Sequence, residues 1–265
     1  MKVLMLNSSP KAGRGCTGIM VAALKAGMTS AGAEVEVLEL ARLKVKPCLG
    51  CLQCWLKTSG HCVHGDDMPM ILERMAAADA EVWASPLYHY HLNGIMKNVI
   101  DRTLPQEVPW MVEDHRNPGH SCHPFRSPKP EGHRARLALL SVCGFPELNQ
   151  FDYLVQWFRF VANQGDRENW GEILRPAAEL LHAEGLRTVV ERYLRVVERA
   201  GREMVVDGSV SAATAEELTV DLLPGGASRY RARVNAHFAE LLGEEAPAAC
   251  ESHSREGLAA QGVGS

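Results

Sequence analysis

Cys48, Cys51, Cys54 and Cys62 fall in one short stretch and account for half of the chain's eight cysteines. Two residues between successive thiols let a single loop wrap them round one centre, and Gly50 removes a side chain where such a loop must turn tightly. Thiolates are soft ligands, so an iron–sulfur cluster or a zinc ion would suit them. Cysteines also occur as unmetallated thiols that pack as small hydrophobes. The Cys-x2-Cys-x2-Cys spacing matches the first three ligands of bacterial cluster runs, whereas Cys62 follows after seven residues instead of three and has no proline behind it. On spacing alone all three readings stay open. A second group with chemical meaning is the loop Asn7-Ser-Ser-Pro-Lys-Ala-Gly-Arg-Gly-Cys-Thr17, which carries hydroxyls, glycines and two cations straight into a helical pattern. Backbone N–H groups and the helix dipole at such a junction hold a phosphate. Its glycine spacing is neither the dinucleotide Gly-x-Gly-x-x-Gly nor a Walker loop, and an ordinary polar turn with Thr17 near the N-cap is the plain alternative.

These loops need elements to position them. Apolar runs at residues 3–6, 80–85 and 136–142 read as buried strands, residues 34–40 alternate with period two, and 170–174 supply a fifth strand. Helical spacing covers 17–31, 68–78, 93–102, 151–163, 188–206 and 229–242. The alternation predicts an α/β fold, a doubly wound five-stranded parallel sheet with helices on both faces and further helices at the C-terminal end. Residues 105–134, rich in Pro and His, interrupt it as an insertion that would serve as a lid. His115, His120, Cys122, His123 and His133 lie there, but their spacings fit no zinc pattern. One domain is expected over 1–242, followed by a disordered tail over 243–265.

Composition narrows the partners. A 46% hydrophobic content is ample for one core, and a formal charge of -4 with a pI near 6.3 leaves no basic footprint for nucleic acid or an anionic membrane. No run approaches the ~18 apolar residues a membrane span needs, and the start does not read as a signal peptide. A cytoplasmic protein follows, and in that reducing compartment crowded cysteines point to metal or redox use. Ligands of a parallel sheet bind at the carboxyl ends of the strands, so the loops after strands one, three and four are the place to look.

The second of those loops, Ser85-Pro-Leu-Tyr-His-Tyr-His-Leu-Asn-Gly-Ile-Met-Lys-Asn-Val-Ile-Asp-Arg102, resembles the Pro-x-Tyr, Gly-x-Met-Lys and Ile-Asp-Arg run of the flavodoxin-like NAD(P)H-dependent FMN reductases. Ser9-Pro10-Lys11 and Gly15-Cys16-Thr17 extend the resemblance to the first loop, and Ser141-Val-Cys-Gly-Phe-Pro-Glu147 stands where that family lines its flavin. The run Cys48 to Cys62 followed by Asp66-Asp67-Met68 is similar to the iron–sulfur flavoprotein branch, which tolerates a longer final gap. The resemblance covers about residues 1–175.

The resemblance implies FMN as cofactor, its phosphate held by Ser9, Lys11, Cys16 and Thr17 and its ring flanked by Pro86, Leu87, Tyr88 and His89. Gly144 would let a backbone N–H approach the edge of the ring where negative charge accumulates on reduction. Cys16 stands where many relatives have Asn. Cys48, Cys51, Cys54 and Cys62 would ligate a [4Fe-4S] cluster. Hydride from NAD(P)H would reduce the flavin, which would then pass electrons to a quinone, a nitro or azo compound, free flavin or an iron–sulfur acceptor. That chemistry needs no side-chain acid or base, so no catalytic residue is named and His89 and His91 are rim residues. The resemblance also implies a homodimer or homotetramer. The alternative is an electron-transfer flavoprotein that does not itself react with nicotinamide. Asp66 and Asp67 are expected to cap a helix, and Asp101 and Arg102 to pair with each other.

Overall fold

The computed structural model describes residues 1–127, 135–164 and 167–246; the expectations for His133 and for most of the tail lie outside these. Five strands, β1 (Lys2–Asn7), β2 (Glu34–Glu39), β3 (Ala80–Tyr88), β4 (Ala135–Val142) and β5 (Arg167–Arg175), form a parallel sheet in the order β2-β1-β3-β4-β5. From β1 the chain winds first to β2 and then back to β3, which makes the β1/β3 boundary the switch point of the sheet. The central strands are buried on both faces, as their unbroken apolar runs require, while edge strand β2 keeps its period-two pattern of exposure.

That period of two divides the core. Leu4, Leu6, Trp83, Leu137 and Leu139 face a cluster formed with α2 (Met68–Ala77), α3 (Gly94–Asp101) and α4 (Asp152–Ala162). Their neighbours Val3, Met5, Val82, Ala138 and Leu140 are buried outside that cluster, on the side taken by α1 (Cys16–Ser30) and α5 (Arg187–Val206). Among the described residues no helix is long and apolar enough to cross a membrane.

Strand β3 runs further than its apolar run suggests. It ends in a turn whose His89 and Tyr90 both take left-handed backbone (φ 47° and 62°), and His91–Leu92 pairs back on Leu87 and Tyr88. The short helix α6 (Ala212–Leu218) closes the main unit, Met1–Pro224. Helix α7 (Gly226–Leu242), read from sequence as part of the main domain, belongs to a second unit, Gly225–Ser265.

The expected Asp101–Arg102 pair does not form. Asp101 pairs instead with Lys97, one helical turn earlier, and Arg102 turns inward to Asp66. Asp66 does accept from the Met68 N–H (3.2 Å), but Asp67 accepts from the Lys44 N–H (2.7 Å) and gives no side-chain cap to α2. Helix α2 begins with Pro at its first turn, where the missing N–H costs nothing.

Helices α1 and α5 meet backbone to backbone because glycines stand at the crossing. A Cβ on Gly27 would lie 1.8 Å from the Glu198 carbonyl oxygen, and one on Gly201 would lie 2.4 Å from that of Leu24. Neither backbone can give way as a flexible side chain would. Gly27→Ala is therefore expected to destabilise the protein by about 3 kcal/mol, read as a lowered urea midpoint. Ala26→Ser, one position along the same helix and on its exposed side, is the matched control.

Candidate functional site

The carboxyl ends of β1, β3 and β4 are held in register by buried polar groups. Asn93 caps α3 by accepting from the Met96 N–H (3.1 Å) and donates its own amide to the Ser8 carbonyl (2.7 Å). Its N–H donates to Ser85 Oγ (3.1 Å), and the Ser85 carbonyl accepts from Ser141 Oγ (2.9 Å). Ser8 in turn donates through both N–H and Oγ to the Ala84 carbonyl. The loop after β1 is shaped from within by Asn7, whose Oδ1 accepts from the Ser9 N–H (3.1 Å) while its Nδ2 donates to Glu39 (2.8 Å). Ala12 takes left-handed backbone there (φ 50°), and a Cβ on Gly15 would come within 2.6 Å of Ser9 Oγ.

One cleft of about 170 Å³ opens between these loops. Ser9, Lys11, Cys16, Thr17, Pro86, Leu87, Tyr88 and Gly144 all line it; His89, in the adjoining turn, does not. Helix α1 enters the cleft with Gly15 at its N-cap and no side-chain cap, which leaves its first-turn N–H groups as donors towards an anion. Ser9 and Thr17 are buried, and Lys11 is exposed at the rim.

Cys143, within the Ser141–Glu147 run, lines the cleft too, and so do Ala178 and Glu179, to which nothing in the sequence pattern points. These last two follow β5, whose exit loop is zipped to the one after β4. The Ala178 N–H donates to the Cys143 carbonyl (2.9 Å) and the Ala177 N–H to the Phe145 carbonyl (2.7 Å). Burial pushes the Cys143 thiol up to about 11, and its Sγ donates to the Phe145 carbonyl. Burial, then the Glu179 carboxylate, push the Cys16 thiol up to about 11 against the pull of Lys11. Both thiols are thus neutral at physiological pH. Burial and the nearby Lys97 hold the His91 imidazole below its ordinary value, and its ring packs 4.6 Å from that of Trp157, which fits a packing role.

All four cysteines of the thiol loop line a second, smaller cavity of about 30 Å³, together with Leu49, Val63 and His64. Gly50 and Leu52 take left-handed backbone (φ 62° and 52°), and the Gly50 N–H donates to Cys48 Sγ (3.4 Å). Burial and the other three thiols push Cys54 up. Among the described residues, no three His, Cys, Asp or Glu side chains close on a single metal ion. The donor set is nonetheless chemically matched to a multi-iron centre: four soft sulfurs round one cavity, with a backbone N–H already directed at one of them.

The described part of the 105–134 insertion packs on this loop and also on the end of α4 and the start of β5, where Arg116 donates to the Arg167 carbonyl and His120 packs 5.6 Å from Phe160. Trp55 donates to the Leu104 carbonyl (2.9 Å) and packs 4.8 Å from the His123 ring, and the Arg126 Nε–H donates to the Pro105 carbonyl. None of the described insertion residues lines the cleft. Aromatic contact with Trp55 replaces the lid expected from composition.

Residues 1–112 match the family model described as NADPH-dependent FMN reductase. The chain is 35% identical over 103 residues to an iron–sulfur flavoprotein of Archaeoglobus fulgidus, covering 39% of this chain and 49% of that protein. It is 32% identical over 114 residues to an iron–sulfur flavoprotein of Methanocaldococcus jannaschii, covering 43% and 58%. The chain thus spans about half the length of these curated relatives. Among solved structures, an NAD(P)H:quinone oxidoreductase from Methanothermobacter marburgensis superposes with a TM-score of 0.52 at 19% identity, over 77% of this chain and 96% of that one. An FMN-dependent NADH-azoreductase from Bacillus anthracis gives a TM-score of 0.53 at 15% identity over 77% and 99%. At those identities the likeness is one of fold.

Two outcomes follow from the electrostatics. Glu179 places a carboxylate on a cleft lined by Lys11 and the N-terminus of α1, and it is solvent-exposed, so screening limits its effect. Glu179→Gln is expected to tighten FMN in a fluorescence titration by up to about fivefold, or ~1 kcal/mol, most clearly at low salt. At Asp66, burial by itself would raise the carboxyl, but the Arg102 fork and the Lys46 and Met68 N–H groups outweigh it and hold it at about 2, against an ordinary 3.8. A depressed folded-state value means that its contribution is complete above the ordinary value and is lost as pH falls through the folded one. That contribution is about 2 kcal/mol by linkage. Urea unfolding should show the wild type losing it between about pH 4 and pH 2, with Asp66→Asn losing about 2 kcal/mol less across that window.

Proposed function

We propose, from the match of residues 1–112 to the NADPH-dependent FMN reductase family model, that the chain is an FMN-dependent oxidoreductase. Its electrons come from NAD(P)H and go to a quinone, a nitro or azo compound, a flavin or an iron–sulfur acceptor. The observation that carries this reading is the meeting, in one cleft at the switch point of the sheet, of an uncapped helix N-terminus with the loops after β3 and β4. The residues fit the group. Ser9 and Thr17 hydroxyls, the Cys16 and Thr17 N–H groups and the Lys11 ammonium would hold the phosphate dianion. Pro86, Leu87 and Tyr88 would flank the ring, with His89 setting the turn beside them, and Gly144 leaves room for backbone to approach its edge. Neutral Cys16 adds no charge against the phosphate. Bound FMN supplies the exchange of a hydride for single electrons, and the protein's share is to bind, orient and exclude water. No side chain is assigned as a general acid or base.

The thiol loop is proposed to hold a [4Fe-4S] cluster through Cys48, Cys51, Cys54 and Cys62, with zinc or free thiols as the other outcomes of an assay. The names of the relatives support this reading, and so does the shared cavity. The same observation favours a second reading, an electron-transfer flavoprotein without its own nicotinamide reaction. Anaerobic mixing with NADPH and with NADH separates the two, since only the reductase's flavin bleaches quickly. The working form is proposed to be a cytoplasmic homodimer or homotetramer that meets small molecules or a redox protein, and neither nucleic acid nor membrane.

Heat-released cofactor is expected to co-migrate with FMN; FAD would overturn the assignment. Lys11→Glu should weaken FMN at least about tenfold, or ~1.4 kcal/mol, in an ultrafiltration assay, because it sets an anion beside the phosphate. Cys54→Ala should lose iron yet keep the yellow flavin, as the two sites arise from different strand ends. Anaerobically reconstituted wild type with FMN but neither iron nor sulfide would end the cluster reading and leave the flavin reading standing.

A further inference from the structure

Arg102 lies directly after α3, and its side chain is 1% exposed. Its guanidinium meets Asp66 as a two-pronged pair, Nη2 donating to Oδ1 at 3.0 Å and Nη1 to Oδ2, and Nη1 also donates to the Lys46 carbonyl (3.2 Å). Asp66 in turn accepts from the Lys46 N–H (2.9 Å). Lys46 and Asp66 are the points at which the chain enters and leaves the thiol loop, so one buried cation ties both ends of that loop to the core. Its third nitrogen, Nε, is buried with no hydrogen-bond partner. The Cys62 side chain lies within interaction reach of the same guanidinium.

A buried N–H left without an acceptor is costly, and a guanidinium has no way to become neutral. A sulfur that carries negative charge on binding metal is an acceptor of the right kind at the right place. We propose that Arg102 is a positioning residue for the four-cysteine centre: it locks the base of the loop through Lys46 and Asp66 and gives its unpartnered Nε–H to the Cys62 sulfur when that sulfur ligates metal. The inference rests on the cluster reading above. A cationic donor to a ligating sulfur stabilises the more negative, reduced state of such a centre and so raises its potential.

The test uses the full chain, reconstituted anaerobically with iron and sulfide, with iron content and midpoint potential measured for wild type, Arg102→Gln, Arg102→Lys and Asp66→Asn. Arg102→Gln should retain less iron and shift the potential to more negative values. Arg102→Lys, which keeps the charge and loses the fork, should recover part of both, and it carries the test if the Gln variant does not fold. Asp66→Asn leaves the cation uncompensated and should shift the potential the opposite way. Mere loosening of the loop would move the Gln and Asn variants in the same direction, and that result, or unchanged potentials, would overturn the proposal. Wild type that takes up no iron removes the cluster reading, whereas wild type that takes up iron but whose potential does not respond to Arg102→Gln and Arg102→Lys removes the Arg102 assignment on its own account.

Discussion

Asn93 is 2% exposed, and its side chain accepts from the first turn of α3 while it donates to the Ser8 carbonyl across the switch point. An amide buried this deeply must spend its hydrogen bonds within the protein, and here it spends them on the two loops that shape the cleft. Ser85, bonded to Asn93 on one side and Ser141 on the other, carries the same constraint on to β4. The walls of the cleft are therefore fixed relative to one another before any ligand arrives. A pre-formed site of this kind loses little ordering entropy on binding.

The cleft itself is a balance of opposed charges. The helix N-terminus and Lys11 favour an anion, and Glu179 opposes it. Burial, with that carboxylate beside it, keeps the Cys16 thiol neutral, so Cys16 adds no charge of its own to the cleft.

The thiol loop is stabilised differently. Leu49, Leu52, Leu56 and Val63 are all exposed, so little apolar burial holds it in place. Its order comes from anchors at the base and flank, namely the Arg102–Asp66 pair and the packing of Trp55 on His123. Breaking a buried ion pair by removing one partner costs about 3–5 kcal/mol because the other charge is stranded.

Local pattern carried the sheet, since buried runs at 3–6, 80–85 and 136–142 and the alternation at 34–40 reflect burial of two faces or one, which a chain records residue by residue. It carried most of the cleft as well, because residues that share a short loop, such as Ser9 with Lys11 or Pro86 with Tyr88, are placed by the strand end that bears them. It failed where partners lie far apart in the chain. Asp101 and Arg102 are adjacent and of opposite charge, yet the helix turns them to different sides, and Arg102 finds Asp66, 36 positions away in the chain. Glu179 enters the cleft only because β5 lies against β4 and their exit loops bond to each other. The described part of the insertion read as a lid meets Trp55 of the thiol loop and Phe160 of α4, aromatic partners that no count of prolines or histidines reveals. The sequence by itself determined which chemistry the chain can hold, because ligand type and loop spacing are local properties. Only the tertiary structure decided which charge faces which group, because that depends on the packing of strands and helices distant in sequence.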